Sequence, residues 1–178
     1  MIRRAAAAAI VLALALGMTT ACQPDPAPSA SGPIFANEEE AFAAAEETYR
    51  AYVDALNQVD LSDPETFEAV YAWTTGEANA GARKSFSEMH AEGWTVTGAS
   101  TFDGFTPTSF SPKSESAIVT AEVCLDVAEV QVTNASGESV VPPTRQDRQP
   151  AVLTFALGET ETTLVIAKSD ATESQACT

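Results

Sequence analysis

Basic residues are scarce in this chain. Nine Lys plus Arg stand against 25 Asp plus Glu in 178 residues, a formal net charge of -16. Such a surface repels phosphate backbones and anionic headgroups, which excludes nucleic acid as a natural partner. Histidine is rarer still. One histidine and three cysteines leave too few nitrogen and sulfur ligands for an ordinary zinc site, where four are usual. The acidic run Glu38, Glu39, Glu40 is followed by no loop with calcium-site spacing, and acids at a helix start serve the helix dipole. No metal and no other cofactor is expected. With 45% hydrophobic and 19% charged residues and no internal repeat, the composition excludes collagen, coiled coil and wholesale disorder, and the length suits one soluble domain.

The N-terminus is what the chain has instead. Arg3 and Arg4 precede an uncharged run from Ala5 to Gly17, the charged and apolar regions of an export signal. As a helix that run would cover ~20 Å, short of a ~30 Å hydrocarbon core, so a permanent membrane span is the weaker reading. Thr19, Thr20 and Ala21 lead into Cys22, and this resembles the bacterial lipobox, in which the cysteine thiol is acylated and becomes the mature N-terminus. Thr19 stands where leucine is usual; the alternative is ordinary signal cleavage. The segment 23–36 holds Pro24, Pro26, Pro28 and Pro33 among small and polar residues, a composition that cannot bury a core and reads as a tether. The expected organisation is a signal over 1–21, a lipidated tether over 22–36 and one domain over 37–178. Removing the signal leaves 7 basic and 25 acidic residues, a charge of -18, so attachment to the outer face of the cell membrane would depend on lipid rather than charge.

With Cys22 committed to lipid, Cys124 and Cys177 form an even pair in an oxidising compartment and are expected to bridge. The alternative is two free thiols.

Asn37 with Glu40 signals a helix start, and Phe42, Ala45, Tyr49, Tyr52, Val53 and Leu56 recur at three and four residues, which predicts a helix over 38–57. Asp63 before Pro64 predicts a second helix over 64–72, and Thr74 with Glu77 a third that carries Ala78, Ala82, Phe86 and Met89 and stops at Gly93. After Gly93 the pattern alternates. Strands are expected over 94–97, 101–110, 116–132, 152–157 and 162–168, with a turn at 134–138 and a polar excursion over 142–150. Helices first and antiparallel strands after them indicate an α+β domain with three helices packed on one face of a curved sheet.

The runs Tyr49-Arg-Ala-Tyr-Val-Asp-Ala-Leu-Asn, Asp63-Pro-Glu-Thr-Phe-Glu, Thr74-Thr-Gly-Glu-Ala-Asn and Phe86-Ser-Glu-Met-His-Ala-Glu-Gly-Trp resemble uncharacterised actinobacterial lipoproteins with a domain similar to nuclear transport factor 2. Cys124-Leu-Asp-Val and Asp147-Arg-Gln-Pro fit the same group, and the resemblance covers 38–168. It implies a cone of three helices and a strongly curved antiparallel sheet, a fold shared by ketosteroid isomerases, SnoaL-type polyketide cyclases and many noncatalytic modules. No catalytic motif of the enzymatic branches transfers residue by residue, so a catalytic role is not carried over.

The residues that could line such a cone are Tyr49, Tyr52, Trp73, His90, Trp94 and Asp126. Tyrosine and tryptophan combine an apolar body with a polar tip suited to an amphiphilic ligand, although aromatics at helical spacing more often pack a core. His90 is the one side chain with an ordinary pKa near neutrality, but it falls in the last turn of a helix with no nucleophile close in sequence. Asp126 shares a sheet face with Cys124 and could border a pocket or pair with Arg148. The sequence therefore points to a membrane-tethered extracytoplasmic binding or interaction module, with an unknown small ligand or an envelope protein as partner. The alternative is an isomerase or cyclase using a carboxylate in the cone.

Overall fold

A computed structural model describes residues 33–114 and 118–178. The expected signal, Cys22 and most of the tether lie outside the described residues. The chain from Pro33 to Thr178 forms one compact unit.

Helix α1 runs Glu38–Leu56. Asn37 caps it by accepting the Glu40 N–H at 2.9 Å, and the Glu40 carboxylate reaches back to the Ala36 N–H at 2.7 Å, so two otherwise orphaned donors are satisfied. Its inner face is Ala41, Ala45, Thr48, Tyr49 and Val53, all buried. The two alanines let the helix approach the sheet closely. The second helical stretch begins as a 3₁₀ turn over Pro64–Thr66, capped by Asp63, and becomes helix α2 over Phe67–Tyr71. Helix α3 spans Gly76–Ala91 and starts one residue later than expected, after Thr75. Thr74 is instead buried, its hydroxyl donating to the Val70 and Tyr71 carbonyls. Gly93 follows with φ +66°, the left-handed residue that ends the helix.

Strands β1 (Thr95–Thr97), β2 (Thr101–Phe110), β3 (Val119–Asp126), β4 (Gln131–Thr133), β5 (Arg148–Leu157) and β6 (Leu164–Ala171) follow. They make a four-stranded antiparallel sheet in the order β2-β3-β5-β6 and a separate two-stranded ribbon of β1 and β4. The molecule is α+β. The single long strand expected over 116–132 is therefore corrected to two strands in different sheets. The chain turns at Val127–Val130, where Asp126 accepts the Ala128 N–H at 3.0 Å and the Arg145 guanidinium donates to the Val127 and Val130 carbonyls, both at 3.0 Å. Apolar residues continue on both sides of this break, but their alternation shifts phase there, from Val123, Leu125 and Val127 to Val130 and Val132. Strand β5 also starts at Arg148, inside the expected polar excursion, and β6 continues three residues past the expected end at Lys168. Pro107 sits on the edge strand β2 beside a register shift, where a missing N–H costs no ladder bond.

The core lies between α1 and one face of the four-stranded sheet, with Val119, Ala121, Val123, Leu153, Phe155, Leu164 and Ile166 at its centre. A second cluster around Leu61, Phe67, Val70, Tyr71 and Phe86 joins α2 and α3, and Tyr52 packs against both. The segment between α2 and α3 is fixed to β6 by Ile166 N–H to Trp73 carbonyl at 2.9 Å and Thr75 N–H to Ile166 carbonyl at 2.8 Å. Cys124 and Cys177 are disulfide-bonded, with Cα atoms 4.9 Å apart. The bond holds a terminal 3₁₀ turn, Gln175–Cys177, across β2, β3 and β5. Gly104 in β2 makes room for it: φ is +62°, and a Cβ there would stand 2.5 Å from the Ala176 carbonyl oxygen.

Candidate functional site

Helix α3 turns an unusually small face toward the sheet. Ala78, Gly81, Ala82 and Ser85 recur at helical spacing, and across from them stand Tyr49, Tyr52, Leu153 and Ile166. Where these small side chains face large ones they do not fill the space between the elements, and the result is a cavity of about 370 Å³ between α1, α3 and β6. Lys168, Ser169 and Asp170 close its outer wall. The Lys168 ammonium is 3.0 Å from Asp170 and 3.8 Å from Glu77, and those carboxylates hold its pKa above the usual lysine value. All three charges are at the solvent-facing rim, where such pairs contribute little to stability.

The buried end is different. Tyr49 is 3% exposed, stacks on Tyr52 with ring centres 5.8 Å apart, and meets Phe102 edge-on at 4.8 Å. Neither tyrosine hydroxyl has a hydrogen-bond partner among the described residues, and neither is sealed off from the cavity space. Tyr49 and Tyr52 also line a smaller recess of about 140 Å³ with Leu125, Gln149 and Ser169. Hydroxyls that face a cavity with no protein partner can exchange water for a guest's hydrogen-bonding group.

Burial raises the pKa of Tyr49, with the neighbouring Tyr52 adding to the shift, and burial also raises Tyr52 and Tyr71. These are all three tyrosines of the chain. The native protein should accordingly show little phenolate absorbance at 295 nm at pH 10, and should gain it together with loss of near-ultraviolet dichroism as pH rises further. The sign follows from linkage: above an unfolded pKa near 10 the unfolded chain releases protons that the folded one retains, so stability is full below that value and falls as pH climbs. An ordinary titration at pH 10 with the fold intact would contradict this burial.

The cavity gathers Tyr49 and Tyr52 from among the candidate residues and leaves the others elsewhere. Trp73 packs on the second cluster. His90 is at the end of α3, its Nδ1 2.7 Å from the Leu61 carbonyl and its ring beside Phe67. Trp94 borders a shallow groove with Glu88 and Met89. Asp126 is 3.2 Å from Arg148, which also forks onto Asp103 at 2.8 and 3.0 Å. Among the wall residues that sequence reading did not name as candidates are Gly81, Ser85, Leu153, Ile166, Lys168, Ser169 and Asp170. The small-residue spacing of α3 was a signal for Gly81 and Ser85; Ser169 and Asp170 required knowing that the strand continues past 168. No group of three or more metal-ligating side chains occurs among the described residues.

No family model and no curated protein matches the chain. Two solved structures are similar in backbone. Aln2 from a Streptomyces species superposes with a TM-score of 0.43 at 15% identity, covering 76% of this chain and 91% of that one. The VirB8 protein of Agrobacterium tumefaciens gives 0.44 at 8% identity, covering 75% and 92%. Both stand below a TM-score of 0.5, and no assignment is taken from either.

Proposed function

We propose that this chain is an extracytoplasmic module, tethered to the cell membrane by lipid on Cys22, that binds a small amphiphilic molecule without transforming it. The observation that carries the reading is the cavity between α1, α3 and β6, with an apolar inner wall, a polar rim and two tyrosine hydroxyls that have no protein partner among the described residues. A helix-backed antiparallel sheet with an internal hollow is also what the resemblance to nuclear transport factor 2-like lipoproteins implies. Catalysis of the isomerase or cyclase type would need a carboxylate in the dry end. The carboxylates on this cavity, Glu77 and Asp170, are exposed at the rim and turned to Lys168. A docking role through an apolar surface has less support, since Ile34 is the large hydrophobic exposed among the described residues.

Binding is tested with 2-naphthol and naphthalene, which differ by one hydroxyl, on the mature chain from Gln23 without acyl groups. Both should quench or enhance saturably. Tyr49→Phe with Tyr52→Phe should weaken 2-naphthol about five- to tenfold, the value of one hydrogen bond, and leave naphthalene unchanged. Absence of saturable binding by either would refute the module. The tether is tested separately by mass spectrometry of the native N-terminal peptide, which should begin at an acylated Cys22; a free thiol there, or cleavage at another residue, removes the lipid anchor.

A further inference from the structure

The tyrosine-lined cavity is the middle one of three that follow α1. Toward the open end of the sheet it shares Tyr49, Tyr52 and Ser169 with the recess that contains Gln149. Toward the ribbon it shares Leu56 and Phe86 with a further cavity of about 220 Å³, lined by Val59, Leu61, Met89, Val96, Val130 and Val132. Each neighbouring pair of hollows shares these wall residues. Their polarity changes along the series. Hydroxyl and amide groups of Tyr49, Tyr52, Gln149 and Ser169 stand among apolar residues at one end; at the other, branched aliphatic side chains and a methionine predominate, and the Asn57 amide there is bonded to the Ser100 backbone.

A compact polycyclic ligand would use the middle cavity and gain nothing from the ends. A narrow series with one polar, uncharged end and one apolar end matches a single alkyl chain carrying a neutral headgroup. Charge supports the same choice: a fatty carboxylate would enter past Glu77 and Asp170, which already pair Lys168, the one cation of the rim among the described residues, in a chain of net charge -16. We infer that the ligand is a neutral single-chain lipid, with its hydroxyl or ester end against Tyr49, Tyr52, Gln149 and Ser169 and its tail passing Leu56 and Phe86 into the cavity under the β1–β4 ribbon. This inference rests on the binding module proposed above and specifies what that module takes.

The test is displacement of bound 2-naphthol from the mature chain by 1-monoacylglycerols of increasing length, below their aggregation concentrations. Affinity should rise roughly tenfold for each two methylenes added, the transfer value for buried CH₂ groups, until the far cavity is full. Val96→Trp, and separately Val132→Phe in case the first fails to fold, should end that rise at a shorter chain while the shortest monoacylglycerol binds as before. If 2-naphthol binds but monoacylglycerols do not displace it, or if neither variant changes the chain-length limit, the lipid assignment is overturned and the binding module survives. If 2-naphthol itself does not bind, the module fails first.

Discussion

Severing the Cys124–Cys177 link, by reduction or by Cys177→Ser, should lower the stability of the domain by about 4 kcal/mol, the chain-entropy value for a bridge that closes a 53-residue separation. For a unit of this size that is a fall of roughly 10–15 °C in melting temperature. The location explains why so much depends on one bond. Residues after Ala171 add no strand to the sheet, and the terminal turn is held over β2, β3 and β5 by the sulfur bridge and the space above Gly104. Gly104→Ala would push on the same turn, through a Cβ 2.5 Å from the Ala176 carbonyl oxygen and a φ of +62°. Its cost should be smaller in the Cys177→Ser background, because a released turn can move aside. Thermal melts of the four proteins by far-ultraviolet dichroism check both statements. A loss below about 1 kcal/mol on reduction would mean that the terminal turn is anchored by its packing instead.

Leu153→Ala should cost about 3 kcal/mol, within the range of buried leucine truncations. Leu153 is fully buried at the middle of β5, opposite Ala121 on β3 and Ser169 on β6, and its side chain forms part of the cavity wall. Both cross-strand neighbours are small, so neither can swing in to refill the gap. Urea denaturation should show a lower midpoint at an unchanged slope, the signature of lost stability without a changed unfolded state. A cost under about 1 kcal/mol would show that α3 settles onto the sheet and collapses the hollow, which would count against a preformed binding site.

The α+β class and the three helices were decided by local residue chemistry, and the Cys124–Cys177 pair was reached by counting cysteines. Asn37, Asp63 and Gly93 act on the backbone within a few positions of themselves, and apolar spacing identifies the buried face of α1 whatever it packs against. The two-sheet division was not available from the same signals. Ser116 to Val132 carries apolar residues along its whole length with no Gly or Pro, and the break at Val127–Val130 depends on Arg145, 15 residues beyond Val130, reaching two carbonyls. Tyr49 and Tyr52 could be picked out as cavity residues by type, whereas Trp73, Trp94 and His90 have the same chemistry and lie elsewhere. Side-chain type says what a residue can contact; only the packing of small α3 side chains opposite β6 determines where space is left for anything to be contacted.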